Sequence, residues 1–452
     1  MTGSVTGAPP GTPAAGVRAA TRATYLVFAV SGFGFASWAS RIPQVKARLG
    51  LDPSALGLLL LAIAAGSVVA LPLSGMVVAR WGSRWTVTAM ATLSTVALLG
   101  VAFGYLSGVV PVAAGLFLFG VSAGVWDVAM NVQGAAVERQ LGRSIMSRFH
   151  AAWSLGTVAG ALIGAGAVAL HVPVTAHLAV AALLQGPVVW VVARSFVADV
   201  PDAAEVPGAA AEDDAALSST SETSQSPGAT RAPAAAGGAL TAWREPRTLL
   251  LGLFVLAFAF AEGTGNDWIS VSVIENYRAP ATLGTLAFAV FLAAMTGGRW
   301  FGTASLDRWG RVLVTRALTV LAVAGLALFI FGPALAAAFF GVLLWGAGTS
   351  LGFPTGMSAA ADDPARAAPR VGVVASVGYC AFLGGPPLIG FLGDHVEVRQ
   401  ALLCVVILLA IAAAIAPALR RPPVLGYARA SRSDTSRLRL TCCSAASRAS
   451  RR

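Results

Sequence analysis

The chain has 452 residues, of which 56% are hydrophobic and only 11% are charged, and its formal net charge is +11. A soluble domain carries about 25% charged residues, so a chain this long and this poor in charge cannot cover itself with a polar surface. The positive charge does not indicate a nucleic-acid partner, because nine arginines and one aspartate from Arg420 to Arg452 supply +8 of it. The composition therefore predicts an all-α integral membrane protein embedded in a lipid bilayer.

The first part of the chain predicts a bundle of six membrane-spanning helices. Residues 1–20 are rich in Gly, Pro, Thr and Ala, and we expect them to be disordered. Residues 21–197 hold long runs without Asp, Glu, Lys or Arg, and a spanning helix needs about 20 apolar residues. The runs 85–126 and 149–193 each exceed the length of one helix and contain Gly/Pro turn formers, so each predicts two spans.

The second part repeats this organisation after a polar interruption. Residues 198–246 are rich in Ala, Ser, Pro, Asp and Glu, which predicts a disordered cytoplasmic linker. Residues 247–420 predict a second six-helix bundle. Its first span is not a charge-free run, because it contains Glu262 and Asp267. Residues 421–452 predict a basic, disordered tail. The total is twelve spans.

The distribution of arginine predicts the orientation of these spans. Arginines concentrate in alternate short loops, and loops with excess Lys and Arg remain cytoplasmic. With both termini in the cytoplasm, the inner loops hold Arg80, Arg84, Arg139, Arg143, Arg148, Arg308, Arg311, Arg316, Arg366 and Arg370. The outer loops then hold only Arg41, Lys46, Arg48, Arg278 and Arg399.

The two bundles resemble each other in sequence. Four short matches recur in the same order at offsets of 222 to 228 residues: Arg80-Trp-Gly82 with Arg308-Trp-Gly310, Phe35-Ala36 with Phe260-Ala261, Gly120 with Gly346, and Ser154-Leu-Gly156 with Ser376-Val-Gly378. The matches predict two bundles related by a pseudo-two-fold axis along the membrane normal. Such parallel repeats enclose a central site near the bilayer midplane.

Two loops carry a recognisable motif. The major facilitator superfamily has a signature loop between spans two and three that reads approximately Gly-x-Leu-Ala-Asp-Arg-x-Gly-Arg-Arg/Lys. Residues 75–84 resemble it, with Ala79 at the Asp position, and the copy in the second half restores Asp307 but has Thr303 at the Gly position. The resemblance implies the twelve-helix fold of that family and a cytoplasmic gate. With Arg299 of the eighth span, the gating residues are Gly75, Arg80, Gly82, Arg84, Arg299, Asp307, Arg308, Gly310 and Arg311.

Four further stretches resemble a narrower branch. Residues 36–43, 130–139, 261–268 and 350–354 are similar to the YbjJ-type bacterial inner-membrane proteins near the fucose permeases. That resemblance implies a monomeric secondary transporter of the bacterial cytoplasmic membrane. It would move a small solute, such as a sugar or another small polar molecule, by alternating access and with proton coupling.

Missing motifs narrow the mechanism. The chain has one lysine, Lys46, and no Walker loop, which argues against direct ATP-driven pumping. It has no metalloprotease or paired-cysteine motif and only short loops between spans. We therefore expect neither an enzyme nor a cofactor or metal site.

Three acids within predicted spans are the first site candidates, because a charge at bilayer depth is costly unless it faces protein or water. Asp127 shares a helix face with Asn131, and Glu262 shares one with Asn266. Asp267 lies near the predicted outer interface. Each could bind solute or a proton. For Asp127, the alternative is a structural ion pair with an arginine such as Arg41 or Arg148.

The remaining candidates each admit two interpretations. His150 could relay protons or simply end a helix at the inner interface. Arg41 could snorkel to the outer headgroups, or contact cargo or Asp127. Five aromatic candidates could stack on a sugar ring: Trp38, Trp126, Trp153, Trp268 and Tyr379. Trp38 and Trp268 also fit the interfacial aromatic belt.

Proton-coupled transport of a small polar solute is the leading functional hypothesis. Efflux of amphipathic compounds is the second. A membrane-embedded solute sensor that does not transport is the alternative from another class.

Overall fold

The computed structural model describes residues 15–142, 145–198, 241–363 and 366–420. Every regular element in these ranges is helical. The first half contains α1 (Ala15–Ala39), α2 (Ile42–Leu49), α3 (Pro53–Gly104), α4 (Val109–Leu141), α5 (Met146–Ala169), α6 (Val174–Val192) and a 3-10 turn (Ala193–Ser195). The second half contains α7 (Pro246–Asn276), α8 (Ala281–Trp309), α9 (Arg311–Phe331), α10 (Leu335–Thr349), α11 (Gly352–Ala360), α12 (Ala367–His395), α13 (Val398–Ala401), α14 (Leu403–Ile415) and a 3-10 turn (Ala416–Leu419).

The predicted boundaries differ from the helices at two places. Within the predicted disordered linker, residues 241–242 are helical and α7 begins at Pro246, so the predicted disorder of residues 241–246 is wrong. Because α1 begins at Ala15, residues 15–20 are helical, and their predicted disorder is wrong. The rest of the predicted N-terminal disorder, most of the linker (199–240) and the tail (421–452) lie outside the described residues.

The helices account for twelve spans. Among the described residues, 11 helical segments are long and apolar enough to cross a membrane. One of them, α3, has 52 residues and contains two spans joined at Gly82, whose φ of 76° and ψ of 160° interrupt the helix. Gly310 has φ 78° and ψ 158° at the matching junction between α8 and α9. A positive φ favours glycine, which explains why both motif copies keep it.

The outward faces of the helices are apolar. Large side chains such as Val110, Leu170 and Phe301 are more than three-quarters exposed. A soluble protein rarely exposes so many apolar groups, so lipid tails are the solvent that these faces require.

Matching glycines pack the two halves in the same way. A Cβ built on Gly120 would lie 2.0 Å from the Ile63 carbonyl oxygen, and one on Gly346 would lie 2.5 Å from that of Phe291. Each glycine lets the fourth helix of its half approach the second at backbone distance, as small residues do in membrane bundles. The repeat predicted from sequence is therefore present as repeated packing.

The halves meet at the end of the molecule away from the arginine-rich loops. We call the end at Arg80, Arg139 and Arg308 the basic end, and the other the opposite end. At the opposite end, Gly57 of α3 packs on the backbone of Pro386 in α12, and Gly390 of α12 packs on Pro53. Nearer the basic end, Gly75 and Gly372 of the same two helices have no atom within 4 Å of a built Cβ.

Polar contacts reinforce this junction. Lys46 after α1 forms an ion pair with Glu275 near the end of α7, and Thr285 donates a hydrogen bond to the Ser40 carbonyl oxygen at 3.4 Å. Both contacts join the first half to the second. They hold the opposite end closed.

The Lys46–Glu275 contact can be tested directly, because Lys46 is the sole lysine. A zero-length carbodiimide should join these two side chains, and mass spectrometry should find one dominant cross-linked peptide that contains Lys46. Glu275→Gln should remove this product. Glu397→Gln, which changes an acid of the same end that pairs with Arg399, should leave it intact. A Lys46 cross-link to other acids in the unaltered chain would contradict the contact.

A cluster of charges organises the basic end of the second half. Asp362 accepts from Arg247 at 2.9 Å and from Arg311 at 2.7 Å, and Glu245 accepts from Arg370 at 2.6 Å. The Arg370 hydrogen bond lowers the pKa of Glu245 below its ordinary value. A depressed acid pKa means that the contact stabilises the fold above the ordinary pKa and loses that effect as pH falls.

Candidate functional site

A cavity of about 260 Å³ lies where the two halves face each other. Helices of the first half supply most of its wall, and Tyr379 of α12 supplies the rest. Asp127 of α4 lines it, roughly 27 Å along the helix from Val109 at 1.5 Å per residue. That position is near the middle of a helix of 33 residues. Trp126 and Trp153 also line this cavity, where they can stack on a ligand.

Asp127 belongs to a short polar chain. Asn131 donates to its carboxylate at 3.3 Å, and the Asn131 side-chain oxygen lies 3.2 Å from Nε2 of His150 on α5. No ion pair joins Asp127 to Arg41, Arg148 or another cation within the described ranges. The alternative interpretation, in which Asp127 forms a structural ion pair, therefore finds no cation among the described residues. The hydrogen-bonded series from Asp127 through Asn131 to His150 leads toward the basic end.

A second cavity of about 200 Å³ adjoins the first. The two share Phe35, Ile63, Ser67 and Tyr379 in their walls. The second is lined by a polar set from α7, which is Thr264, Asn266 and Asp267. Asp267 therefore faces the space between the halves, while its predicted depth near the outer interface stays a prediction.

Polar atoms in this second wall lack partners. Oγ1 of Thr264 and Oδ1 of Asn266 are buried without a hydrogen bond in the structure. Asp267 has no ion pair or hydrogen bond among the residues that are described. Buried polar atoms are nearly always satisfied, so this set is suited to a ligand that completes it.

Glu262 and Arg299 form an ion pair at membrane depth. The Arg299 guanidinium lies 2.7 Å from the Glu262 carboxylate and also donates to the Ser350 carbonyl oxygen at 3.2 Å. Arg299 lies on α8, which packs against α5, the helix that carries His150. The ion pair thus joins Glu262, predicted for the binding site, to Arg299, predicted for the gate.

Three candidates lie away from the cavities. Trp38 and Trp268 are 1% and 0% exposed, so they belong to the protein core and not to an interfacial belt. Arg41 is 2% exposed and donates to Nδ1 of His177 at 2.9 Å and to the Val172 carbonyl oxygen at 3.1 Å. It therefore neither snorkels nor reaches Asp127, and it ties α1 to the start of α6.

The motif residues mark the basic end. Arg80, Arg84, Asp307 and Arg308 are exposed, and no ion pair among the described residues joins the two motif copies. Arg311 instead bonds Asp362 and Ser358 within the second half. With Gly75 also open, the gate residues are separated in this structure.

Sequence inspection missed several polar residues of the site. Gln185 and Ser94 line the first cavity and hydrogen-bond to each other at 2.9 Å, and Thr264 lines the second. A lone amide inside the apolar run of the sixth span was the available signal for Gln185. Serine and threonine give no such signal, because they also bond to the carbonyl four residues earlier in many spanning helices.

Comparison with known proteins agrees with the architecture. The sequence model of the Major Facilitator Superfamily matches residues 24–371. An uncharacterized MFS-type transporter of Yersinia pestis is 30% identical over 406 residues, which cover 88% of this chain and 95% of that protein. The nucleoside transporter NupG aligns with a TM-score of 0.65 at 13% identity, over 88% of this chain and 98% of that one. A bacterial homolog of the human lysosomal transporter Spinster, inward-facing and unoccupied, aligns with a TM-score of 0.68 at 10% identity, over 91% and 98%.

Proposed function

The chain belongs to the major facilitator superfamily, and on that premise we propose that it couples the movement of a small polar solute to protons by alternating access. The observation that carries the proposal is the pair of carboxylates, Asp127 and Asp267, that line cavities between the halves without a cationic partner among the described residues. Acids at this depth are costly to keep and mark proton or substrate pathways in membrane proteins.

Asp127 is the proposed proton carrier. Among the described residues the Asp127 side chain has one partner, the amide of Asn131, so protonation breaks no ion pair there. Glu262 differs, because a proton on its carboxylate would have to displace Arg299 at 2.7 Å. Asn131 and His150 extend from Asp127 toward the basic end and provide the polar route by which a proton would leave.

The proposed state of the structure is open to the cytoplasm. Arginine-rich loops remain cytoplasmic, so the basic end is the proposed inner side of a bacterial cytoplasmic membrane. The opposite end is closed by Lys46–Glu275 and by the contact between α3 and α12. Closing the basic end would bring the exposed motif loops together, which is the proposed role of Arg80, Arg84, Asp307 and Arg308 as a gate.

The proposal is tested with monomeric, full-length protein in liposomes. A thermal-shift screen of small polar solutes selects a stabilising solute, because binding raises apparent stability by mass action. A pH gradient of one polarity should then drive its accumulation, and Asp127→Asn should reduce this to the level of empty liposomes. Asp394→Asn, an exposed acid of the same chain, should transport normally. Absence of flux under a pH gradient of either polarity would refute proton coupling. Gradient-driven flux that is unchanged in both Asp127→Asn and Glu262→Gln would refute the assignment of the proton to these carboxylates.

Efflux of an amphipathic compound is a second candidate. It is favoured by the apolar part of the first cavity, where Ile63, Leu71, Phe119 and Met130 accompany Asp127. Deletion of the gene should then increase sensitivity to toxic organic compounds while nutrient uptake is unaltered.

A further inference from the structure

The charged side chains in the walls of the two cavities are all acidic. Asp127 lines the first and Asp267 lines the second, while no lysine, arginine or histidine is found in either wall as described. In a site with little water, unit charges interact much more strongly than in bulk solvent. The walls therefore favour a positively charged ligand over a neutral one of the same size.

The nearby cations are neutralised or directed elsewhere. Arg299 is paired with Glu262 at 2.7 Å, and its Nε donates to the Ser350 carbonyl oxygen. Arg41 donates to His177 and Val172 at the end of α1. His150 reaches the site only through Asn131. Protein cations therefore leave the two carboxylates in the cavity walls unbalanced.

Unsatisfied buried atoms in both walls point to a bound molecule. Thr264 is 3% exposed and Trp126 is 2% exposed, and neither Oγ1 of the first nor Nε1 of the second has a hydrogen-bond partner in the structure. Thr264 lies one helical turn before Asp267 and shares its face. Trp126 lies beside Asp127 in the same wall. Each carboxylate is thus accompanied by an unsatisfied polar atom: Oγ1 of Thr264 could accept from a ligand ammonium or hydroxyl, and Nε1 of Trp126, which only donates, could be satisfied by a ligand hydroxyl oxygen.

Aromatic rings add a second attraction for a cation. Tyr379 borders both cavities, and Trp126 and Trp153 border the first. An ammonium group over the face of such a ring is attracted by the ring quadrupole, and more strongly when it is desolvated. A neutral sugar would gain stacking from the same rings, but it would leave the carboxylates without a counter-charge.

We infer that the cargo is a small organic amine, whose ammonium group binds Asp127 while Tyr379 and Asp267 receive the rest of the molecule. This inference rests on the proposed function, because it names the solute class of the same site. It has a consequence for coupling: a protonated Asp127 cannot pair with an ammonium group, so proton and cargo exclude each other at that carboxylate. Coupling at this site is then an exchange of proton against amine.

Matched pairs of amine and alcohol test the inference on the purified full-length chain. The probes are tyramine against 2-(4-hydroxyphenyl)ethanol, and glucosamine against glucose, with thermal unfolding and equilibrium binding as readouts. At least one amine should bind at least about tenfold more tightly than its alcohol, because a charge-assisted hydrogen bond contributes about 1.5–3 kcal/mol. Equal or weaker binding of both amines would overturn the inference.

Variants then assign the charge selectivity to a residue. Asp127→Asn should reduce the preference for the amine to about the level of the alcohol, and Asp127→Glu should restore most of it. The exposed acid variant Asp394→Asn should keep the preference unchanged. A preference that persists in both Asp127→Asn and Asp267→Asn would overturn the assignment to these walls, even where one variant folds poorly.

The failure of the inference is distinguishable from that of the proposed function. Charge-selective binding without flux under a pH gradient of either polarity would support the amine site and refute coupled transport. Gradient-driven flux of a neutral solute, with no binding preference for amines, would support coupled transport and refute the amine site.

Discussion

Replacing Gly156 by alanine is expected to destabilise the first half severely. A Cβ at this position would lie 1.9 Å from the Ala29 carbonyl oxygen and 2.7 Å from its carbonyl carbon, which are backbone atoms of α1. No rotamer change can relieve such an overlap, so α5 and α1 must separate along their contact. Overpacking of this kind costs about 1–3 kcal/mol, and a clash with backbone lies at or above the upper part of that range. Thermal unfolding of the detergent-purified variant measures the loss.

The same helix offers a matched control for Gly156→Ala. Gly166 is exposed on α5 and has no atom within 4 Å of a built Cβ. Gly166→Ala should therefore be neutral or stabilise the helix by up to about 1 kcal/mol, as alanine does relative to glycine. If both variants unfolded at the same temperature as the parent, the close contact between α1 and α5 would be absent in the protein.

Replacing Arg299 by glutamine is the second change with a large expected effect. The substitution leaves the Glu262 carboxylate at membrane depth without the guanidinium that now lies 2.7 Å away. Removing one partner of a fully buried ion pair costs about 3–5 kcal/mol, because the remaining charge is uncompensated. The Arg299 and Glu262 side chains are 25% and 15% exposed, so we expect a smaller loss of about 1.5–3 kcal/mol. We expect a lower unfolding temperature and reduced yield of folded protein in the membrane.

A double variant shows whether the loss of stability comes from the unpaired charge or from the changed shape of the side chain. Arg299→Gln with Glu262→Gln removes both charges at similar volume and should recover most of the lost stability, since neutral replacement of a buried pair is often tolerated. Arg399→Gln, which breaks the more exposed pair with Glu397, should cost at most about 1 kcal/mol. Additive losses in the double variant would show that Glu262 and Arg299 do not depend on each other.

The sequence was sufficient for features that depend on long-range composition. Charge-free runs located eleven of the twelve spans, and the span that holds Glu262 and Asp267 was recognised in spite of its acids. The matches at Gly120 and Gly346 predicted the repeated packing that the structure contains. The family motif was equally informative, because Gly82 and Gly310 adopt the same positive φ that the motif requires. These properties are local or periodic, so one sequence records them.

The sequence was insufficient for features that depend on helix rotation and depth. In a span that is apolar all round, periodicity does not distinguish the lipid face from the protein face. Trp38 and Trp268 were therefore assigned to an interfacial belt although they are buried. Glu262 and Arg299 are 37 residues apart on different helices, so their pairing follows from tertiary packing alone. Arg41 turns toward His177, 136 residues away, for the same reason.

The repeat holds for the packing glycines Gly120 and Gly346 and fails for the charged residues within the spans, and this has a practical consequence. Where the second half has Glu262 and Arg299, offsets of 226 and 228 residues lead to Ala36 and Leu71 in the first. Asp127 likewise corresponds to Phe353. The close helix contacts at glycine are thus present in both halves, whereas Glu262, Arg299 and Asp127 each have no charged counterpart in the other half. Selectivity could be redesigned by exchanging a handful of cavity side chains, with the mechanical framework left untouched.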